Sequence, residues 1–414
     1  MNAQPADLSF SLPGVDLDAL FARQAAAFEQ DRNPPLATRV DRLRRLRAVV
    51  ADNRARIIEA VNADFGSRAE EESRLAETGA TLTTIDYTLA RVARWMRPRR
   101  RGTSIWFLPA SNAIVPQPLG VVGVMSPWNY PVNLALAPLA TALAAGNRAM
   151  VKMSEFTPAT TALIQQLVAA AFDDTEVAII GGEANVATAF SALPFDHLLF
   201  TGSTAVGRRV MQAAAQNLTP VTLELGGKSP VIVDPDYPVD EAAHRVLWGK
   251  TTNAGQTCVA PDYVMVPRGR SGDYVEATRK HYQAHFPEGA RAASYTAVIN
   301  ARQYERLHGL VADARERGAD VIEMEPDAEA LRAGRKFPLT LVVNPPADAR
   351  VMQEEIFGPV LPVLEYDGFD GALSQINAGD NPLAIYYFGH SADRQRRVLR
   401  DTLSGSAAVN EVVA

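Results

Sequence analysis

The chain has 414 residues, 47% of them hydrophobic and 21% charged, with a formal net charge of −6. That length exceeds what one hydrophobic core ordinarily organises, so two or three domains are expected, and the acidic balance excludes general nucleic-acid binding. A single cysteine excludes an internal disulfide and fits a reducing cytoplasm.

Residues 1–7 lack a basic region followed by an apolar run, so no signal peptide is expected. The first hundred residues read as helical. Leu36, Val40, Leu43 and then Leu46 or Val50 recur at helical spacing with arginines between them, and Pro34-Pro35 suits a helix start. The basic run Arg97-Pro-Arg-Arg-Arg101 is expected to be solvated, not a nucleic-acid site. Residues 101–117 hold short β-prone runs broken by prolines, as edge strands do. From Pro118 onward, strand-like runs at 120–125, 149–153, 177–180 and 197–200 alternate with helical stretches, among them 134–145 and 157–172. The longest mostly apolar run, 132–145, contains Asn133 and Pro138 and is too short to span a membrane. A second series of strands opens at 221–224 and 231–233. Alternation of this kind implies parallel sheets with helices on their faces.

Residues 197–207 read as a strand, a Gly/Ser turn and the start of a helix. Unpaired backbone N–H groups and the positive helix end favour an anion at such a turn. Gly202 lets a phosphate approach the backbone, and Ser203 can cap the helix or bond the phosphate. Gly202 and Gly207 lie five apart, so this is not the G-x-G-x-x-G fingerprint, and a Gly/Ser turn alone is weak. Cys258, in Asn253-Ala-Gly-Gln-Thr-Cys-Val-Ala-Pro261, reads on its own as packing before it reads as a nucleophile.

Six stretches in order change this reading. They are Ser126-Pro-Trp-Asn-Tyr-Pro131, Val151-Lys-Met-Ser-Glu155, Phe200-Thr-Gly-Ser-Thr204, Leu223-Glu-Leu-Gly-Gly-Lys228, Asn253-Ala-Gly-Gln-Thr-Cys258 and Glu354-Glu-Ile-Phe-Gly-Pro359. With them the chain resembles the aldehyde dehydrogenase superfamily from its first helices to its C-terminal end. It is most similar to the class 3 branch and, within it, to bacterial coniferyl aldehyde dehydrogenases. The resemblance implies an α/β fold of two Rossmann-like parallel-sheet domains plus a small β oligomerisation arm. Residues 1–101 and 120–225 would form the NAD-binding domain and 226–403 the catalytic domain. Residues 102–119 and 404–414 would form the arm, with 102–119 pairing with the chain's end, and the active site would lie in the cleft between the large domains.

The same resemblance implies the chemistry. Oxidising an aldehyde needs a tetrahedral adduct that can release hydride, and Cys258 supplies the attacking thiolate. The Asn129 side-chain amide and the Cys258 N–H would hold the oxyanion. Glu224 would activate water to hydrolyse the thioester. Leucines flank Glu224, a dry setting that makes a carboxylate hold its proton more tightly and suits a base near neutral pH. Lys152 and Glu155 would hold the adenosine ribose, with Glu155 repelling a 2′-phosphate. NAD is thus the expected cofactor, with NADP also accepted. Pro127, Trp128, Gly202, Ser203, Gly207 and Leu225 complete the cofactor set, with Glu355 for the nicotinamide ribose and Phe357 beside the nicotinamide ring. Without the resemblance, Asn129 reads as a turn-former, Glu224 as an ion-pair partner of Lys228, Glu355 as a surface acid and Phe357 as a core aromatic.

Tyr130, Asn133 and Leu134 are expected to line the substrate tunnel. An aromatic aldehyde such as coniferaldehyde suits them, as does a medium-chain aliphatic one. His281 and His285 share a helix face without the Glu of H-E-x-x-H, so no metal is expected. Family members usually continue past residue 414 with a glycine-rich segment and a tail. Its absence is expected to expose the edge that includes residues 105–109, and a homodimer is expected when the tail is present. A coenzyme A-acylating enzyme is disfavoured by Glu224. A non-catalytic protein that kept the fold is disfavoured by the presence of Cys258, Glu224 and Asn129.

Overall fold

The computed structural model describes residues 16–325 and 328–413. The N-terminal residues 1–7, read above for a leader, lie outside the described residues. The chain divides into two compact units, Met1–Val61 with Ser73–Glu224, and Asn62–Glu72 with Leu225–Ala414. The first hundred residues therefore do not stay together. Segment 62–72 belongs to the second unit because its backbone is bonded there. Phe65 O accepts from Arg335 Nη2 at 2.7 Å, and Ser67 O accepts from Ala297 N at 2.8 Å.

In the first unit β1 (Arg99–Arg101) and β2 (Asn112–Ile114) form an exposed antiparallel ribbon. Between them Ile105–Phe107 makes a 3-10 turn, not the expected edge strand, because local bonds such as Ala110 N to Phe107 O at 2.8 Å close it. Ile105, Trp106, Phe107 and Leu108 are exposed. The unit's sheet joins β3 (Val121–Met125), β4 (Arg148–Lys152), β5 (Val177–Ile180), β6 (His197–Gly202) and β7 (Val221–Leu225) in the order β5-β4-β3-β6-β7. Pairs β3–β4, β4–β5 and β3–β6 are parallel, with Val124 opposite both Val151 and Leu199. Every residue of β3 and β4 is buried, as expected of parallel strands covered on both faces. Helix Leu36–Ala51 buries Leu43 and Leu46, but also Arg39 and Arg42. Those two arginines are paired, Arg42 with Glu176 at 2.8 Å and Arg39 with the Ala144 and Ala145 carbonyls.

The second unit's sheet joins β8 (Pro230–Val233), β9 (Tyr263–Pro267), β10 (Asp320–Glu323), β11 (Thr340–Val343), β12 (Val360–Tyr366), β13 (Ala384–Phe388) and β14 (Ser406–Val409). Their order is β10-β11-β12-β9-β8-β13-β14, antiparallel only at β10–β11. Residues 404–414 were expected in the arm. Instead β14 bonds along β13 as the sheet's edge, and Val412 joins the buried core. Strand alternation splits that core. Val231, Val264, Val363 and Tyr386 pack on one face with helices Val239–Thr251 and Ser271–His285. Ile232, Met265, Leu364 and Tyr387 pack on the other with helix Gly368–Asn377.

Among the described residues no helix is long and apolar enough to cross a membrane. No cluster of three or more His, Cys, Asp or Glu there could hold a metal ion. His281 is half-buried, stacked on His244 with ring centres 4.8 Å apart and 3.1 Å from Asp240, while His285 on the same helix face is exposed.

Candidate functional site

In the first unit the expected cofactor residues gather at the C-terminal ends of three neighbouring strands. Chain order reverses between β3 and β6, which makes this the topological switch point of the sheet. Pro127, Trp128 and Asn129 leave β3, Lys152 ends β4 with Glu155 just beyond, and Gly202 ends β6. Ser203 is the N-cap of helix Thr204–Ala215, with extended backbone and no capping bond from its side chain. The helix's first N–H groups and the exposed Ser203 hydroxyl suit a pyrophosphate. Gly207 lies inside the helix, not in the turn, and is buried; its N–H donates to Ser203 O at 2.9 Å.

Lys152 is buried and donates from Nζ to Met153 O at 2.7 Å. Burial pushes its ammonium pKa down, opposed by Glu155 and Glu183. Asn129 is buried at 2% exposure, in the turn before helix Asn133–Ala145. A side chain not singled out from the sequence fixes this turn. The buried Glu77 carboxylate accepts from Val132 N at 3.1 Å and Asn133 N at 2.9 Å. Glu224, one residue from the end of β7, is exposed; the dry setting suggested by its flanking leucines is not found, because Leu223 and Leu225 are only half-buried on this edge strand.

In the second unit three loops meet at the N-terminal ends of three central strands, because β12, β9 and β8 are adjacent, parallel and each preceded by a loop of interest. The loop before β8 carries Gly226, Gly227 and Lys228, that before β9 carries Cys258, and that before β12 carries Glu355 and Phe357. Lys228 Nζ forms an ion pair with Asp262 and donates to Val351 O at 2.7 Å and Glu354 O at 3.0 Å. Lys228 is thus committed to Asp262, while Asp262 Oδ1 also accepts from Ile356 N at 2.9 Å. A Cβ on Gly226 would fall 2.2 Å from both Glu355 carboxylate oxygens, so only glycine leaves room for that carboxylate. Glu355 is no surface acid. Burial, helped by Asp262, pushes its carboxyl pKa up to about 7, against a bond to the Gly227 backbone and the cations Lys228 and Arg306. Phe357 is half-buried with φ of 48°.

Cys258 is half-buried in a turn closed by Ala260 N to Thr257 O at 2.9 Å. The Tyr386 hydroxyl donates to Val259 O, next to the thiol residue. Burial pushes that phenol up to about 12. Lys250, fully buried in the preceding helix, is pushed down to about 8 by burial, with Asp262 opposing. Gln256 is buried and bonds Asn253 O, Ala297 O and Ile299 N at 2.9–3.0 Å. Sequence reading passed over Glu77, Lys250, Gln256, Asp262 and Tyr386. Gln256 and Asp262 flank Cys258 closely enough to have been suspected; Glu77 sits in a helical run with no such signal.

The sequence pattern of the Aldehyde dehydrogenase family matches residues 13–414. The chain is 49% identical over 397 residues to a probable coniferyl aldehyde dehydrogenase of Pseudomonas aeruginosa, covering 96% of this chain and 83% of that one. Its fold is similar to the substrate-bound state of Staphylococcus aureus AldH, at 33% identity and a TM-score of 0.91, covering 96% of this chain and 86% of that one. It is also similar to Staphylococcus aureus betaine aldehyde dehydrogenase in complex with NAD+, at 25% identity and a TM-score of 0.86, covering 95% and 79%. The chain belongs to the aldehyde dehydrogenase family.

Proposed function

We propose that this protein oxidises an aromatic aldehyde, such as coniferaldehyde, to the carboxylic acid with NAD, by covalent catalysis on Cys258. The observation that carries the reading is the sole thiol of the chain, half-buried in a turn beside the loops of Lys228 and Glu355. The substrate class is supported by the similarity to coniferyl aldehyde dehydrogenase.

The Cys258 thiolate adds to the aldehyde carbonyl carbon, forming a C–S bond and an oxyanion. The Asn129 amide and the Cys258 N–H donate to that oxyanion. The chemistry supplied by a bound nicotinamide is a hydride acceptor, which takes the adduct carbon to the thioester level. Glu224 removes a proton from water as it attacks the thioester; the C–S bond breaks, the acid leaves and the Cys258 thiolate is restored. Exposure of Glu224 suits a base that must pass its proton to solvent.

Lys152 and Glu155 would hold the adenosine ribose, Gly202, Ser203 and the helix start at Thr204 the pyrophosphate, and Glu355 and Phe357 the nicotinamide end. Pro127, Trp128, Gly207 and Leu225 complete that set. Glu155 favours NAD over NADP by repelling a 2′-phosphate, with NADP accepted less well. Self-association through the exposed arm residues and a reducing cytoplasm complete the reading.

NADH formation by absorbance tests it, with coniferaldehyde and hexanal, for wild type and Cys258→Ala. The expected outcome is a higher kcat/KM for coniferaldehyde and no activity in the variant. A preference for hexanal removes the aromatic substrate. Activity without the thiol removes the mechanism.

A further inference from the structure

Three consecutive residues ahead of the thiol have left-handed backbone: Asn253 at φ 50°, Ala254 at φ 51° and Gly255 at φ 70°. For a residue with a side chain this conformation costs about 1–2 kcal/mol, and runs of it are avoided. A Cβ on Gly255 would meet Gly358 O at 2.5 Å, so the third position has no room for another residue. The turn therefore persists only where contacts over-determine it. Gln256 holds its carbonyl side through Asn253 O, and Asn253 Nδ2 returns a bond to Gln256 O at 3.1 Å. The N–H of Asn253 is held by Glu72. Its two carboxylate oxygens lie 3.1 and 3.2 Å from that nitrogen, and Thr296 Oγ1 donates to the same group at 2.9 Å. Asn253 and Ala254 are fully buried, so water does not replace these bonds. Burial pushes the Glu72 carboxyl pKa up, opposed by Arg68 and the two donors, so a costly group is kept at this point.

We propose that Glu72 is a positioning residue for Cys258, fixing the strained turn 253–255 through the Asn253 N–H and thereby the direction of the thiol and of its backbone N–H. The proposal rests on Cys258 being the nucleophile. Glu72 touches neither substrate nor cofactor in this role. It acts by geometry, and a misplacement near 1 Å at a nucleophile costs one to two orders of magnitude in rate.

The test compares wild type, Glu72→Ala, Glu72→Gln, Thr296→Val and Cys258→Ala in the full chain. Each is read by steady-state kinetics and by hydrogen–deuterium exchange at the Asn253 amide. In Glu72→Ala, kcat is expected to fall about tenfold, KM for aldehyde and NAD to stay within about twofold, and the amide to exchange at least about tenfold faster. Glu72→Gln keeps one acceptor oxygen and is expected to recover most of kcat. Thr296→Val removes only the hydroxyl that orients the carboxylate and is expected to lower kcat about threefold with KM unchanged, which keeps the idea testable should Glu72→Ala not fold. Wild-type kcat and exchange in Glu72→Ala or Thr296→Val, a loss confined to KM, or equal losses in the Ala and Gln variants would each overturn it. Activity in Cys258→Ala instead overturns the nucleophile reading, and the exchange data still report whether Glu72 holds the turn.

Discussion

Glu355 makes the loop cluster of the second unit sensitive to pH. Its folded pKa, about 7, lies above the ordinary 4.5 because the carboxylate is buried over Gly226 and near Asp262. Between those values the folded chain binds the proton more tightly than the unfolded chain. Stability from this group is therefore full below about 4.5 and is lost as pH rises through 7. Glu355→Gln removes that loss. Urea melts are expected to show the variant more stable than wild type at pH 8 by about 2 kcal/mol, with the gap closing toward pH 4.5. A gap independent of pH would assign the effect to packing. At this scale the sequence speaks unevenly. Cys258, Asn129 and Glu355 stand inside quotable motifs. The surroundings of Glu355 and Glu224 were misjudged, because burial depends on residues distant in the chain: Asp262 and Gly226 enclose one, while the other sits on an edge strand with half-buried neighbours.

Helix Asn133–Ala145 shows how an element depends on a distant charge. Its start has no side-chain cap from its own N-cap residue, Val132. Glu77 takes that place, accepting two backbone N–H groups at the positive helix end. Glu77→Ala leaves the buried Val132 N–H and the half-buried Asn133 N–H without this partner, and chemical denaturation is expected to show a loss of about 2–3 kcal/mol. Glu77→Gln, which keeps an acceptor, should lose about half as much. A loss under about 0.5 kcal/mol in the Ala variant would mean that other groups hold the turn. The sheet strands were legible because each is a short apolar run between turns. Strand 177–180 falls where the sequence puts it, β3 starts one residue later than expected, and β4 is shifted by one residue at both ends. The arm was less legible: a β-prone composition at 105–107 gives way to local turn bonds, which no propensity records.

At the scale of the whole molecule, Trp106 is 88% exposed, with the exposed Ile105, Phe107 and Leu108 beside it in sequence. Consecutive exposed residues of this type mark association sites in soluble proteins. Light scattering is expected to give a mass above one chain for the wild type, and a shift toward one chain when Trp106 and Phe107 are both changed to Ser. An unchanged mass would place the association elsewhere.

The excursion of residues 62–72 into the second unit has a consequence for how the protein is made. Glu72 leaves the ribosome 181 residues before its partner Asn253. At roughly 5–20 residues per second that is about 10–35 s of synthesis. Once residue 224 has been made the first unit has its whole chain, while segment 62–72 still waits for Asn253. The nascent chain must therefore hold an early piece in reserve for a late one, and residues 225–414 expressed alone would lack the carboxylate that holds the Asn253 N–H.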